Sequence, residues 1–350
     1  MSPGPGPFSP TTDPPGAERE SSSLTSPCSD ALNELRAQVA LELHQPVRPS
    51  VAWLAKQIAE LHGETVLGVL FYGSGLRDQS DDGVLDFWVI VDHYRAAYSS
   101  RLHATLNRVA PPNVFYIERE HDGATLRTKY GVIDRDAFEQ GTSLAAWHPH
   151  VWARFAQPAR APWCRDDEAK TFLTSAVANA IVTMVGRLVC MLPERGGSFQ
   201  FSLAAFWQEA FRRTYDSERR PESEEVIRGL YAANAERYDR VAANAILHLA
   251  DQGCFSSATA HPRSFSVELS AKEQRNSRLR WRLMRSHARV LGLIRLTKTA
   301  FTFGDWVPYV LWKLERHTGR RIELSDRQRR HPLIFAWPVI LPLLLRRNLR

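Results

Sequence analysis

Cysteine is scarce in this 350-residue chain, and none of it is arranged for metal or redox work. Cys28, Cys164, Cys190 and Cys254 form no CxxC pair and have no histidine at zinc-ligand spacing. That excludes a zinc-finger-type site and fits a reduced, intracellular protein. The N-terminus lacks a basic start followed by an apolar run, so no signal peptide is expected. It also lacks the Arg-rich amphipathic character of a mitochondrial presequence. No internal repeat is present, and no stacking-aromatic strand of the kind that reads RNA. No apolar run long enough for a full transmembrane span is read from the sequence.

What is present is a globular composition, 44% apolar and 24% charged, on a chain long enough for two or more domains. The net charge of +7 is unevenly placed. From Arg275 to Arg350 there are 18 Lys+Arg against 4 Asp+Glu, a net of +14, so the rest of the chain carries −7. A basic C-terminal quarter on an acidic body calls for a polyanionic partner, either nucleic acid or an anionic membrane.

Pro, Gly and Ser dominate residues 1–29, which predicts disorder there. Helices are expected over Ala31–Leu43 and Ser50–Leu61. Strands are expected over Thr65–Tyr72 and Val84–Val91, then a helix over Tyr94–Val109. Two more strands, Asn113–Glu118 and Leu126–Ile133, flank an Asp122-Gly123 turn. Beyond Pro158 the strand signals fade. Helices are expected at Ala169–Leu192, Leu203–Tyr215 and Ser223–Ala250, followed by a polar loop (SSATAHPRS). The organisation expected is α+β: a mixed sheet with flanking helices over 30–165, a mainly helical domain over 166–265, and a basic amphipathic region over 266–350.

The chemistry rests on one stretch: an apolar strand, Gly73-Ser74-Gly75, a short polar loop, and a second apolar strand bearing Asp86. This resembles the layout of polymerase-β-type nucleotidyltransferases. Backbone N–H groups of the glycine turn and the serine hydroxyl can hold a triphosphate, and glycine lets the backbone approach it. An acidic residue on the next strand points at the same place and can bind Mg²⁺. The acid pair common in such sites is missing, because Val84 and Trp88 flank Asp86 at two residues. Asp81, Asp82 or Asp92 could supply a second carboxylate, or Asp81 and Asp82 could be a solvated loop.

The segment FYGSGLR…VLDFWVIVD further resembles the mitochondrial-type phosphatidate cytidylyltransferases. These are the CDP-diacylglycerol synthases of the translocator assembly and maintenance family, in which a YGSG turn precedes an Asp-Phe strand and a later Val-Asp. KYGVI at Lys129–Ile133 is similar to that family's lysine-bearing strand. WARFAQP at Trp152–Pro158 is similar to its Gly-Arg-Leu-x-Lys-Pro segment, and EAFR at Glu209–Arg212 faintly to Gly-Asp-Phe-Arg. The resemblance covers about Leu70 to Pro158. It implies the reaction CTP + phosphatidate → CDP-diacylglycerol + pyrophosphate, with Mg²⁺. It further implies that Gly73, Ser74 and Gly75 cradle the CTP phosphates and that Asp86 holds Mg²⁺ with Asp92 or Glu118. Lys129 and Arg154 would then neutralise phosphates.

The basic tail is expected at a membrane rather than on nucleic acid. On a helix over Arg275–Lys298, Arg278, Arg282, Arg285 and Arg289 make one stripe. Leu279, Leu283, Val290, Leu291 and Ile294 make the other. Leu333–Leu345, broken by Pro338 and Pro342 and flanked by arginines, is too short to cross a bilayer. It fits an in-plane anchor or a buried core helix. The implied location is peripheral, on the cytoplasmic face of a membrane. Two other readings stay open: a nucleotidyltransferase acting on RNA or another soluble acceptor, and an inactive membrane-bound scaffold on the same fold.

Overall fold

Alternating apolar runs become a mixed sheet in the computed structural model, which describes residues 27–302 except 79, 193–196, 219–221, 256 and 262. Its strands are Val66–Tyr72 (β1), Val84–Val91 (β2), Asn113–His121 (β3), Ala124–Asp134 (β4) and Ala159–Cys164 (β5). They lie in the order β3-β4-β2-β1-β5. β2 runs parallel to β4, and the other neighbours are antiparallel. Asp122 and Gly123 both take positive φ (50° and 76°), so a tight hairpin turn joins β3 to β4 where the sequence places it.

The sheet is covered on both faces. On one, Val69, Phe71, Phe87, Val89 and Val132 pack with Val51, Leu54 and Ile58 of the helix Pro49–His62. On the other, Leu70, Trp88, Ile90 and Ile133 join an apolar cluster that continues into the helical half of the chain. The central element there is the helix Asp167–Val189, capped by the Asp166 side chain accepting from Ala169 N. A Cβ on Gly68 of β1 would stand 2.5 Å from Leu173 Cδ1, so the helix seats closely on the sheet here and a larger residue would make that leucine shift. By length and composition the helix could cross a membrane, but it is mostly buried within the protein.

Several expectations are corrected. The helix expected over Tyr94–Val109 is two, Tyr94–Ala97 and Arg101–Val109, because Ser100 caps the second by accepting from His103 N. The one expected over Ser223–Ala250 is also two, Glu224–Ala232 and Ala235–Asp251. Strand β5 lies where no strand was expected. The polar loop is part of a small antiparallel sheet of Gly197–Ser202 (β6), Ser257–His261 (β7) and Ser264–Leu269 (β8), ordered β6-β8-β7. In β6 and β8 apolar and polar residues alternate, which sets Phe201, Phe265, Val267 and Leu269 against the core.

Among the described residues the basic region contains one helix, Ala271–Thr302. Trp281 and Met284 bury its inner side, while Leu279 (56%), Leu283, Val290 (61%) and Leu293 stand exposed among arginines. Arg285 and Arg289 pair with Asp216. Near its end, Arg295 Nε donates to Pro111 O (2.6 Å), and Lys298 Nζ donates to Ala110 O and to Pro112 O (2.9 Å). The helix is thereby fastened to the segment that leads into β3. Residues 1–26 and 303–350, including the apolar run Leu333–Leu345, lie outside the described residues.

Candidate active site

Register puts the chemistry on one row of the sheet. Tyr72 of β1 stands opposite Asp86 of β2, and Asp86 opposite Lys129 of β4. Register partners share a face, here the face turned toward the helical half. At this end of the sheet the helices stand off, leaving a cleft of about 560 Å³. Gly73, Ser74, Asp86, Lys129, His150, Arg154 and Glu218 are among its lining residues.

Gly73 leaves β1 with φ +87°, a conformation that side chains rarely adopt. A Cβ there would sit 3.4 Å from Asp86 Oδ2, in the space between the turn and the carboxylate. Gly75 is held for packing instead, since a Cβ would meet Leu85 Cδ2 at 2.8 Å; it does not line the cleft. The polar loop that follows is pinned from outside. Arg48 donates to Gly75 O, Ser80 O and Asp81 Oδ1 (2.7 Å). Asp81 is therefore a structural anchor for the loop, with its carboxylate engaged.

Lys129 Nζ lies 2.9 Å from Asp86 Oδ1, so the two residues singled out at the centre form an ion pair. Arg154 also reaches the cleft, but its guanidinium is engaged. It donates to both carboxylate oxygens of Glu218, at 2.9 and 3.0 Å. His150 Nδ1 lies 3.0 Å from the same Glu218 Oε1. Burial opposes charge on Glu218, yet Arg154 and His150 outweigh it and hold the carboxyl well below the usual carboxylate range. Burial, then the Arg154 charge, pushes the His150 imidazole far below its ordinary value, so it is neutral. Burial, with Arg295 and His287 nearby, brings His148 down to about 3.

These histidines give a pH dependence of known sign. Both bind a proton in the unfolded chain below about pH 6.5 and resist it when folded. Stability is therefore expected to fall as pH drops below about 6.5, with Glu218 adding to the loss below the ordinary carboxylate value. Thermal melts at pH 7.5 and 5 check this: the melting temperature should be lower at pH 5. The difference should shrink in His148→Asn, and an unchanged difference would remove His148 as a source.

Two residues do not join the site. Asp92 follows the far end of β2, six residues from Asp86 and so about 20 Å along the strand. Its Oδ2 accepts from Arg165 at 2.6 Å. Glu118 shares the Asp86 face, but two positions along the edge strand, opposite Arg127. It accepts from Tyr116 Oη (2.6 Å) and pairs with Arg127 (3.5 Å), away from the cleft lining. Among the described residues no three or more His, Cys, Asp or Glu side chains are grouped to hold a metal. One carboxylate beside an open glycine turn still fits Mg²⁺, which is usually held by one or two carboxylates plus substrate phosphates and water. Arg212 of the EAFR segment pairs outward with Glu224 (2.8 Å) and takes no part.

Reasoning from sequence missed Glu218, His150 and Arg48. His150 precedes Arg154 by one helical turn, a spacing that could have flagged it. Glu218 and Arg48 carry no local signal, because the fold alone brings them near.

No family model matches the chain, and no curated protein does. Among solved structures, it is similar to a nucleotidyltransferase-like protein from Exiguobacterium sibiricum 255-15. The identity is 11%, with 85% of this chain and 92% of that one covered, at a TM-score of 0.25. A likeness at that level bears on neither substrate nor mechanism.

Proposed function

We propose that this chain is a nucleotidyltransferase of the phosphatidate cytidylyltransferase type, acting at the cytoplasmic face of a membrane. One observation carries the reading. The Gly73-Ser74 turn, the Asp86 carboxylate and the Lys129 ammonium open into a single cleft.

A nucleoside triphosphate would lay its phosphates along the turn, with backbone N–H groups and the Ser74 hydroxyl donating to them. Lys129, which pairs with Asp86, would turn its ammonium to the phosphates. Mg²⁺ carried in with the nucleotide would be held by Asp86 and would offset charge on the phosphate oxygens. A phosphate oxygen of phosphatidate attacks the α-phosphorus, and the bond to the β-bridging oxygen breaks to release pyrophosphate. That nucleophile is already deprotonated near neutral pH, so no general base is required. Positioning and charge neutralisation supply the rate. Arg154, engaged by Glu218, shapes the cleft wall in this scheme instead of travelling with the phosphates.

The choice of CTP and phosphatidate rests on the resemblance of the YGSG…LDF and KYGVI segments. The exposed leucines and arginines of Ala271–Thr302 support a membrane-bound acceptor, because such a helix can lie in the headgroup region. The test is pyrophosphate release from purified protein with Mg²⁺, each of the four NTPs, and liposomes with or without phosphatidate. Release is expected only with CTP and phosphatidate together. Release with CTP and an RNA acceptor but not phosphatidate would overturn the lipid assignment.

A further inference from the structure

Away from the cleft, two arginines converge on one carbonyl with no acid to answer them. Arg187, in the last turn of the helix Asp167–Val189, donates from Nη2 to Leu144 O. Arg280, on the helix Ala271–Thr302, donates to the same oxygen at 3.2 Å. Among the described residues no carboxylate pairs with either guanidinium, and the Nε of each is buried without a hydrogen-bond partner. By contrast Arg154, Arg212 and Arg237 in the same half of the chain each hold a glutamate. Burial, then the nearby Arg280 charge, lowers Arg187 to about 10, still cationic near neutral pH. Two like charges are thus held together in a partly buried place, an arrangement that favours an anion.

A hollow of about 40 Å³ lies against both side chains, lined also by Gly186, Ser277 and Met284. It shares no lining residue with the Asp86 cleft. One water needs roughly 10–15 Å³ of such space, so the hollow takes a few oxygen-sized groups and no nucleoside. Arg280 Cζ lies 5.8 Å from the centre of the Trp147 ring, a cation–π contact that restrains its guanidinium. Trp147 is itself exposed, as are Leu144 and, beside Arg280 on the helix, Leu279 and Leu283.

We propose that Arg187 and Arg280 form a binding site for a phosphate group, supplied by the headgroup of an anionic lipid. Two guanidiniums offer several N–H donors in planar forks, which suit phosphate oxygens and neutralise their charge. A free phosphate ion would make the same contacts. The exposed leucines and Trp147 favour the lipid, since an apolar border meets the acyl side of a headgroup and gains nothing from a soluble ion. The site goes beyond the nucleotidyltransferase reading and stands without it.

The experiment has two arms on the full chain. Melting temperature is followed as inorganic phosphate replaces chloride at constant ionic strength. Flotation is measured with phosphatidylcholine vesicles, with and without phosphatidate. The variants are Arg187→Gln with Arg280→Gln, and a control of equal charge on the outward face, Arg275→Gln with Arg282→Gln. Phosphate should raise the melting temperature of the parent and of the control, saturably. In the Arg187/Arg280 double variant its affinity should fall by roughly ten- to a hundredfold. Phosphatidate vesicles should float less of that variant than of the control. Arg187→Lys keeps the charge without the fork and should retain part of both responses, which separates loss of the site from a damaged fold. A vesicle difference without a free-phosphate effect supports the site with a lipid source. A free-phosphate effect without a vesicle difference overturns the lipid source and leaves a soluble phosphate. A double variant that matches the control in both arms overturns the site, because bulk charge then accounts for the binding. Pyrophosphate release is read separately: its absence in the parent would sink the nucleotidyltransferase reading and leave these outcomes unchanged.

Discussion

Asp86→Asn is expected to lower nucleotide-dependent pyrophosphate release by at least about 10³-fold while leaving the fold unchanged. Asparagine keeps the size and shape of the side chain and removes its charge. The charge is what a cation carried by the nucleotide requires, and neither of the other two carboxylates expected at the metal can replace it. Asp92 is committed to Arg165 at the other end of the strand, and Glu118 to Arg127 and Tyr116 on the edge strand. The cost to stability is small because the Asp86–Lys129 pair is partly open to water, with side chains 23% and 35% exposed. Such pairs contribute about 1 kcal/mol or less. Turnover and a thermal melt on the same preparation check both halves. Retained turnover in a folded Asp86→Asn protein would place the metal and the chemistry elsewhere.

Glu218→Ala is expected to act the other way, on stability first. It strips the carboxylate from the part-buried Arg154 guanidinium and from His150. Removing one partner of a fully buried pair costs about 3–5 kcal/mol, and this pair, 17% and 19% exposed at the cleft wall, falls at the low end, about 3 kcal/mol. In a chain of this size that lowers the melting temperature by roughly 5 °C or more. If the cost is the stranded charge, then removing both charges restores much of it. Arg154→Met with Glu218→Leu should therefore melt above Glu218→Ala alone. A double variant no better than the single would mean that Glu218 contributes through contacts other than Arg154.

The two variants separate what was legible in the sequence from what was not. Asp86 could be found by reading, since a glycine turn between two apolar strands and an acid on the second are local features. The limits of β2 and the Asp122-Gly123 hairpin were legible for the same reason: alternation and turn chemistry act over a few residues. The helix breaks at Tyr98–Ser100 and Ala233–Asn234 were not, because apolar spacing continues across them and the local caps and packing decide. In the small sheet β6-β8-β7 the alternation of SFSVEL in β8 is a local signal the reading passed over, whereas the pairing of β6 across more than fifty residues carries none.

The same distinction applies within the site. Sequence alone supplied the turn, the carboxylate and the lysine, together with the charge asymmetry that puts a basic helix at the end of the described chain. It could not say that Lys129 spends its charge on Asp86, that Glu218 claims Arg154, or that Arg48 holds the loop of Gly75 and Asp81. Nor could it say that Asp92, six residues from Asp86, lies at the wrong end of the strand. Those facts depend on strand register and on helices packing across the sheet. Residues far apart in the chain are then forced into contact, and burial makes each charge take a partner.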